Sequence, residues 1–259
     1  MFHPTIWNNY VAELPIQPLF VTVSGAHLYG FESPDSDVDL RGCHLLPLRE
    51  VVGLRTLNET FDRSGVHAGT EVDLVSHDAG KYFNLLVKNN GYVLEQIFSP
   101  LVVTGREFLE RLRPIAARCI TRFHYFHYRG FFATQRKLLD KEEPKRAKSL
   151  LYAYRVLLTG THLLRTGEVE ANLRRLNEQF KLPFIDDLIA SKTGERIAMP
   201  ALDWRFHDAE LRRLEQQMAD AFTTSPLGES RDMEAVNELL IELRLEQQKK
   251  AGADESAPA

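Results

Sequence analysis

The sequence predicts an α+β fold, a small mixed β-sheet with flanking helices followed by a helical half. Three observations carry this. Strand-like segments are confined to roughly the first 100 residues; the apolar period then lengthens to that of helices; and 259 residues with 44% hydrophobic content suffice for one large core or two small ones.

The run "PLFVTVSGA" is β-branched and is closed by Gly25, so it reads as a strand. A Gly, Ser and Pro loop leads to "SDVDLRGCHLLPL", which alternates polar and apolar from Asp37 to Leu40 as a second strand. "TEVDLVSH" is a third, with Glu71 and Asp73 on one face and Val72 and Leu74 on the other. The period changes in "DAGKYFNLLVKNNGYVLEQIF", where Asp78 is placed to cap a helix and Asn89, Asn90 and Gly91 to stop it. The segment from Gly105 to Leu139 predicts a short helix interrupted near Pro114 and a longer one carrying Gly130. After Pro144 comes the clearest helix, with an apolar stripe through Leu150, Leu151, Tyr154, Leu157 and Leu158 and a stop at Gly167. "ANLRRLNEQF", "FHDAELRRLEQQMADAF" and "DMEAVNELLIELRLEQQKK" are further amphipathic helices, the last begun by Asp232 as its cap. The expected organisation is therefore residues 1–104, 105–247 and a disordered tail over 248–259.

The net charge of -4 excludes a globally basic nucleic-acid binder, so any such contact needs a local patch. The two cysteines, Cys43 and Cys119, read as ordinary buried thiols of a reducing compartment rather than a disulfide scaffold. No apolar run approaches the ~20 residues of a membrane span, and "MFHPTIWNNY" lacks the basic start and apolar core of a leader, so the expected location is cytoplasmic.

Asp37 and Asp39 raise the chemical question. Residues two apart on a strand point the same way, with Cα atoms about 6.6 Å apart. If Asp73 or Glu71 of a neighbouring strand faces that side too, carboxylates converge, and each pair ~4 Å apart repels by about 4 kcal/mol at an effective dielectric of 20. Such a cluster calls for protonation or a cation, and oxygen-only ligands select Mg²⁺ or Mn²⁺ over zinc. Two metal ions on shared carboxylates are a standard device for displacement at phosphorus, and Gly25 allows backbone N–H groups to approach a phosphate.

These residues resemble a known pattern. A strand ending in a glycine turn, a short loop, Asp-x-Asp on the next strand and an acidic residue on a third is similar to the DNA polymerase β-like nucleotidyltransferase superfamily. Within it, "SGAHLYGFESPDSDVDLRG" and "VDLVSHDAGKYFNLLVKNNGYVLEQIFSP" resemble the RNA-ligase-associated, or RlaP, group, and the resemblance continues through "FHYRGFFATQ", "KSLLYAYRVLLTGTHLLRTGEV" and "AVNELLIELRLE". It implies a catalytic domain over 1–104 and a helical nucleotide- or substrate-binding domain over 105–247. It implies Mg²⁺ on Asp37, Asp39 and Asp73, with Asp73 activating the acceptor hydroxyl. Glu71 shares its strand face and stays a rival; the match of "VDLV" to the family's apolar-Asp-apolar strand favours Asp73. Ser24, Gly25 and Ala26 would cradle phosphate, although Ala26 stands where the superfamily usually has Gly or Ser.

The implied reaction moves an NMP from an NTP, ATP by expectation, to a hydroxyl with release of pyrophosphate. In this superfamily a helical domain often supplies basic residues to the triphosphate. Lys148, Tyr152 and Arg155 fall at i, i+4 and i+7 on the clearest helix and are the candidates, Lys148 foremost; solvated surface charge is the alternative. Arg41 faces the side of Asp37 and Asp39, to orient a carboxylate, touch phosphate or form an ion pair. From Gly105 to Leu150 twelve Lys and Arg stand against five Asp and Glu, with Arg122, Arg129 and Arg136 every seven residues among Phe and Tyr. That surface suits RNA, although most of the aromatics suit a core equally. An RNA end is the favoured acceptor; a protein hydroxyl, as in toxin–antitoxin nucleotidyltransferases, or a small molecule is the alternative, and a catalytically idle nucleotide-binding module a third reading.

Overall fold

A computed structural model describes residues 4–54, 58–194 and 203–255. The first part runs α1 (Pro4–Ala12), β1 (Pro18–Val23), the single turn α2 (Gly25–Tyr29), β2 (Val38–His44), α3 (Leu48–Val51), β3 (Thr60–His67), β4 (Thr70–Asp78), α4 (Ala79–Val87), α5 (Gly91–Ile97) and β5 (Val102–Thr104). Helices follow: α6 (Arg106–Ala117), α7 (His124–Lys141), α8 (Ala147–Thr166), α9 (Leu173–Phe180), α10 (Ile185–Thr193), α11 (Trp204–Thr223) and α12 (Met233–Glu255). The expected α+β architecture is therefore present.

The five strands form one mixed sheet in the order β3-β4-β2-β1-β5. Only β2 and β4 are parallel; the other pairs are antiparallel. The alternation of β2 sorts its side chains between two layers. Val38 and Leu40 join Trp7, Tyr10, Val72 and Leu74 in a small core on one face of the sheet. Asp39 and Arg41 point to the other face, where Cys43 enters the main core shared with the helical half. That core takes residues from both sides of position 104, including Phe20, Tyr82, Leu150 and Tyr154.

Local chemistry sets the element ends. Asp78 caps α4 by accepting from the Gly80 N–H at 2.8 Å, and Asn90 caps α5 through the N–H groups of Tyr92 and Val93. Helix α8 stops at Gly167, whose φ of 76° is left-handed. Asp232 accepts from the Ala235 N–H at 3.0 Å, as its capping position predicts. Both cysteines are free and buried. Among the described residues no helix is long and apolar enough to cross a membrane.

Three expectations need correction. Pro114 lies inside α6 rather than ending it. The break falls after Ala117, at a turn in which the Thr121 hydroxyl accepts from the Phe123 N–H at 3.2 Å and so competes with helical bonding. Strands β3 and β5 and the turn α2 were not legible: β3 is largely exposed and polar, and β5 has three residues. Finally, α12 continues through Glu255, into the stretch expected to be disordered from 248; residues 256–259 lie outside the described residues. This helix returns to the first part of the chain. Buried Arg244 donates to both oxygens of Asp78 at 2.8 and 2.6 Å and to the Leu46 carbonyl at 2.7 Å. Burial opposes ionisation of Asp78, but these bonds from Arg244, with those from the Leu46 and Gly80 N–H groups, hold its pKa below the ordinary carboxylate value.

Candidate active site

The parallel pair β2 and β4 places Asp39 directly beside Asp73, in register. Arg41, one turn of the pleat further along β2, reaches back between them. Its Nη2 donates to Asp39 Oδ1 at 2.7 Å and to Asp73 Oδ2 at 3.0 Å, while Nη1 donates to the carbonyls of Leu40 and Asp73 at 2.9 and 2.8 Å. Four bonds fix the guanidinium as a resident counter-charge, which is why the two carboxylates tolerate each other. Of the roles expected for Arg41, its contacts display an ion pair to both Asp39 and Asp73, which also orients the two carboxylates. Burial opposes its charge, but Tyr92, Asp39 and Asp73 outweigh that and hold its pKa above the ordinary value.

Asp73 is held on both oxygens, since Ser64 of β3 donates to Oδ1 at 2.7 Å. Glu71 is exposed, opposite Val66 of β3, and lies outside this network. Asp39 is partly buried. Its carboxyl pKa is raised, first by burial and then by the charges of Asp37 and Asp73, with Arg41 opposing. Asp37 is exposed and immediately precedes β2.

The glycine turn is built around Asp39. Gly25 adopts φ +61°, and a Cβ there would run into the Asp39 carboxylate. The Ser24 N–H donates to the Asp39 carbonyl at 2.8 Å. Gly25→Ala is therefore expected to cost about 1–2 kcal/mol in backbone strain and to displace the carboxylate. Calorimetric titration with ATP and a divalent ion should show at least tenfold weaker binding, with only a few degrees lost in Tm; unchanged affinity would detach the turn from the site.

Two cavities meet here. One, of about 400 Å³, is lined by Gly25, Tyr29, Asp39, Asn90, Tyr92, His127, Phe131 and Tyr152. The other, of about 350 Å³, includes Ala26, Ser33, Ser36, Asp37, Lys148, Tyr152 and Lys192. Tyr152 borders both, and its pKa is pushed up to about 12, first by burial and then by Asp39. Lys148 is exposed at the rim of the polar cavity. Buried Lys192 donates to the hydroxyls of Ser33 and Ser36 at 2.8 and 3.0 Å.

Two expected residues are placed elsewhere. Ser24 is fully buried and its hydroxyl donates to the Tyr92 hydroxyl at 3.2 Å, so it supports the turn from behind and lines neither cavity. Arg155 is also fully buried, and its Nη1 donates to both Glu95 oxygens at 2.7 and 2.8 Å, with its guanidinium 3.9 Å from the Tyr29 ring centre. It belongs to the core rather than to a phosphate site. The signal was in the sequence: α8 is apolar nearly all round, so a cation in its middle must be buried and paired. In the Arg-rich region, Arg122 donates to the Phe222 carbonyl and packs on that ring, and Arg136 pairs with Asp140 and Asp208, while Arg129 is exposed. Tyr128 and Phe132 are core, and Phe126 is exposed. Asn90, Tyr92, His127 and Lys192 carry no functional signal in the sequence, because only the tertiary fold brings them to these cavities, while Phe131, expected on the Arg-rich aromatic surface that suits RNA, lines the first of them.

The donor chemistry suits a hard divalent ion. Mg²⁺ is usually held by one or two carboxylates with substrate phosphates completing the shell, and Asp37 and Asp39 provide such oxygens. Among the described residues no three His, Cys, Asp or Glu form a ready cage, and Asp73 is turned to Arg41 and Ser64.

The chain belongs to the RNA repair pathway DNA polymerase beta family, RlaP, whose model matches residues 7–242. It is similar to the uncharacterized protein MJ0002 of Methanocaldococcus jannaschii, with 34% identity over 156 residues; the match spans 60% of this chain and 63% of that protein, under two thirds of its length. Among solved structures it is similar to a nucleotidyltransferase-like protein from Exiguobacterium sibiricum 255-15, with 14% identity, a TM-score of 0.31 and coverage of 85% of this chain and 73% of the other.

Proposed function

We propose that the protein is a nucleotidyltransferase that moves an NMP from an NTP, ATP in the first instance, to a hydroxyl of an RNA end. One observation carries the reading: Asp39 and Asp73 lie in register on adjacent parallel strands, with Asp39 seated over the glycine turn where two cavities meet. The acceptor oxygen attacks the α-phosphorus, a new P–O bond forms, and the bond to the β-phosphate oxygen breaks to release pyrophosphate.

Asp37 and Asp39 would hold a divalent ion, which when bound supplies positive charge for the developing phosphoryl oxygens. Lys148 stands at the cavity rim to meet the triphosphate. Each carboxylate oxygen has two acceptor positions, so Asp73, although held by Arg41 and Ser64, retains capacity to take the proton of the acceptor hydroxyl. The fixed Arg41 keeps that carboxylate in place as the proton moves. The family's connection with RNA repair favours RNA as the acceptor.

The test of the acceptor uses α-labelled ATP, Mg²⁺ and an RNA oligonucleotide with a free 3′-hydroxyl, alongside the same RNA blocked at that end. Label should enter only the free RNA. Label entering the protein or a small molecule instead would move the acceptor to another class.

A further inference from the structure

We propose that the cavity bounded by Tyr29, Asn90, Tyr92, His127, Phe131 and Tyr152 is the seat of a nucleobase, and that a nucleotide lies across Tyr152 with its phosphates in the neighbouring polar cavity. The inference rests on the nucleotidyltransferase reading and specifies where its ligand sits.

The division of charge between the cavities is the main argument. The aromatic cavity has one charged side chain, Asp39, at its edge. His127 is kept neutral there, its pKa lowered to about 4 first by burial and then by His124 and Arg155. An anionic phosphate meets no cationic side chain among the rings that line this cavity, whereas the face of a base stacks on them. The polar cavity is the opposite case. Lys148 and Lys192 line it with Asp35 and Asp37, so its charges balance, and a divalent ion shared by Asp37 and Asp39 would add positive charge at the junction of the two cavities. Asp39 borders the aromatic cavity and Asp37 the polar one, so the α-phosphorus of a nucleotide bridging them falls beside both carboxylates.

Asn90 adds a polar group of defined orientation. Its carbonyl oxygen accepts from the Tyr92 and Val93 N–H groups at the start of α5, which leaves the amide NH₂ as the end able to meet a ligand. A donor fixed among stacking rings suits the acceptor atoms on a base edge. The rings come from four places, α2, α5, α7 and α8, and are locked by their own packing: Tyr29 stacks under Arg155 and meets Tyr152 edge to face at 5.8 Å. Such a pocket is preformed, so little side-chain ordering is needed when a base enters.

The experiment titrates ATP, inorganic tripolyphosphate and a 3′-hydroxyl RNA oligonucleotide into wild type, Phe131→Leu and Phe131→Tyr, with Ca²⁺ replacing Mg²⁺ to prevent turnover. Phe131→Leu keeps apolar bulk but removes the stacking ring, and Phe131→Tyr restores it. The expected result is ATP binding about tenfold weaker or worse in Phe131→Leu, the loss of one base–aromatic stack, with tripolyphosphate unchanged within about twofold and ATP binding recovered in Phe131→Tyr. Unchanged ATP but tenfold weaker RNA binding would keep the nucleobase assignment and give the base to the acceptor. Equal binding of ATP and RNA by wild type and Phe131→Leu overturns the assignment, while continued label transfer by the wild type would leave the reaction class standing. If wild type neither binds any of the three ligands nor transfers label, the nucleotidyltransferase reading fails and takes this inference with it.

Discussion

Asp39→Asn is expected to lower nucleotidyl transfer at least about 10³-fold without unfolding the protein, since removing one fixed electrostatic contact to a transition state commonly costs 10²–10³ and Asp39 also orders its neighbours. Asparagine keeps the shape of the side chain over Gly25 but removes the negative charge that a divalent ion needs. Arg41 retains Asp73 and its two carbonyl acceptors, so the sheet stays intact. Stability should respond with a definite sign. Asp39 has a folded pKa above its unfolded value, chiefly through burial, so its ionised form costs stability once the pH has risen through the folded pKa. Asn therefore gains relative to wild type at neutral pH. The gain should vanish below about pH 3.9, where the wild-type carboxyl is neutral in both states. Thermal melts of the two proteins between pH 3 and 7 check this; a variant less stable at pH 7 than at pH 4, relative to wild type, would make Asp39 a structural ion-pair partner first.

Glu95→Gln is expected to be the most damaging substitution away from the carboxylates. Glu95 and Arg155 have side-chain exposures of 1% and 0%, and two guanidinium nitrogens of Arg155, Nε and Nη2, have no hydrogen-bond partner among the described residues even in the intact pair. Burial works against the Arg155 charge, and Glu95 is the principal group that holds its pKa up. Removing that carboxylate leaves a buried cation facing a neutral amide, which costs about 3–5 kcal/mol. For a chain of this size that corresponds to a Tm lower by roughly 6–20 °C. Replacing both partners, Glu95→Gln with Arg155→Met, removes the stranded charge and should recover most of the loss. Nucleotide affinity in the double variant should stay within a few fold of wild type. If Arg155→Met alone abolished nucleotide binding while leaving Tm unchanged, Arg155 would return to the phosphate site that helical spacing suggested.

The outcome for Arg155 shows where sequence reasoning reaches and where it stops. Spacing of i, i+4 and i+7 correctly put Lys148, Tyr152 and Arg155 along one side of α8, but spacing says nothing about depth, and the helix passes from the exposed rim into the core between the first and the last of them. Period-two alternation was more informative, because β2 and β4 are regular and their polar faces are set by the apolar residues between. It placed Asp39, Arg41 and Asp73 on strand faces before any pairing was known, and the resemblance supplied the connection between the strands. It did not reveal that Arg41 would lie between the carboxylates, since that depends on the parallel register of two strands separated in sequence by α3 and β3. The aromatic cavity was beyond reach for a similar reason. Tyr29, Tyr92, Phe131 and Tyr152 belong to four elements; helical spacing made Tyr152 a nucleotide-binding candidate and put Phe131 among the Arg-rich aromatics, but nothing in the sequence brings the four rings to one cavity.

The central claim is that the carboxylates serve transfer of a nucleotidyl group, and parallel reactions with α-labelled and γ-labelled ATP test it most directly. With wild type, Mg²⁺ and RNA, α-label should pass to the acceptor and γ-label should appear in pyrophosphate, and both should disappear in Asp39→Asn. Transfer of γ-label to the acceptor, or equal α-label transfer by wild type and Asp39→Asn, would contradict the account.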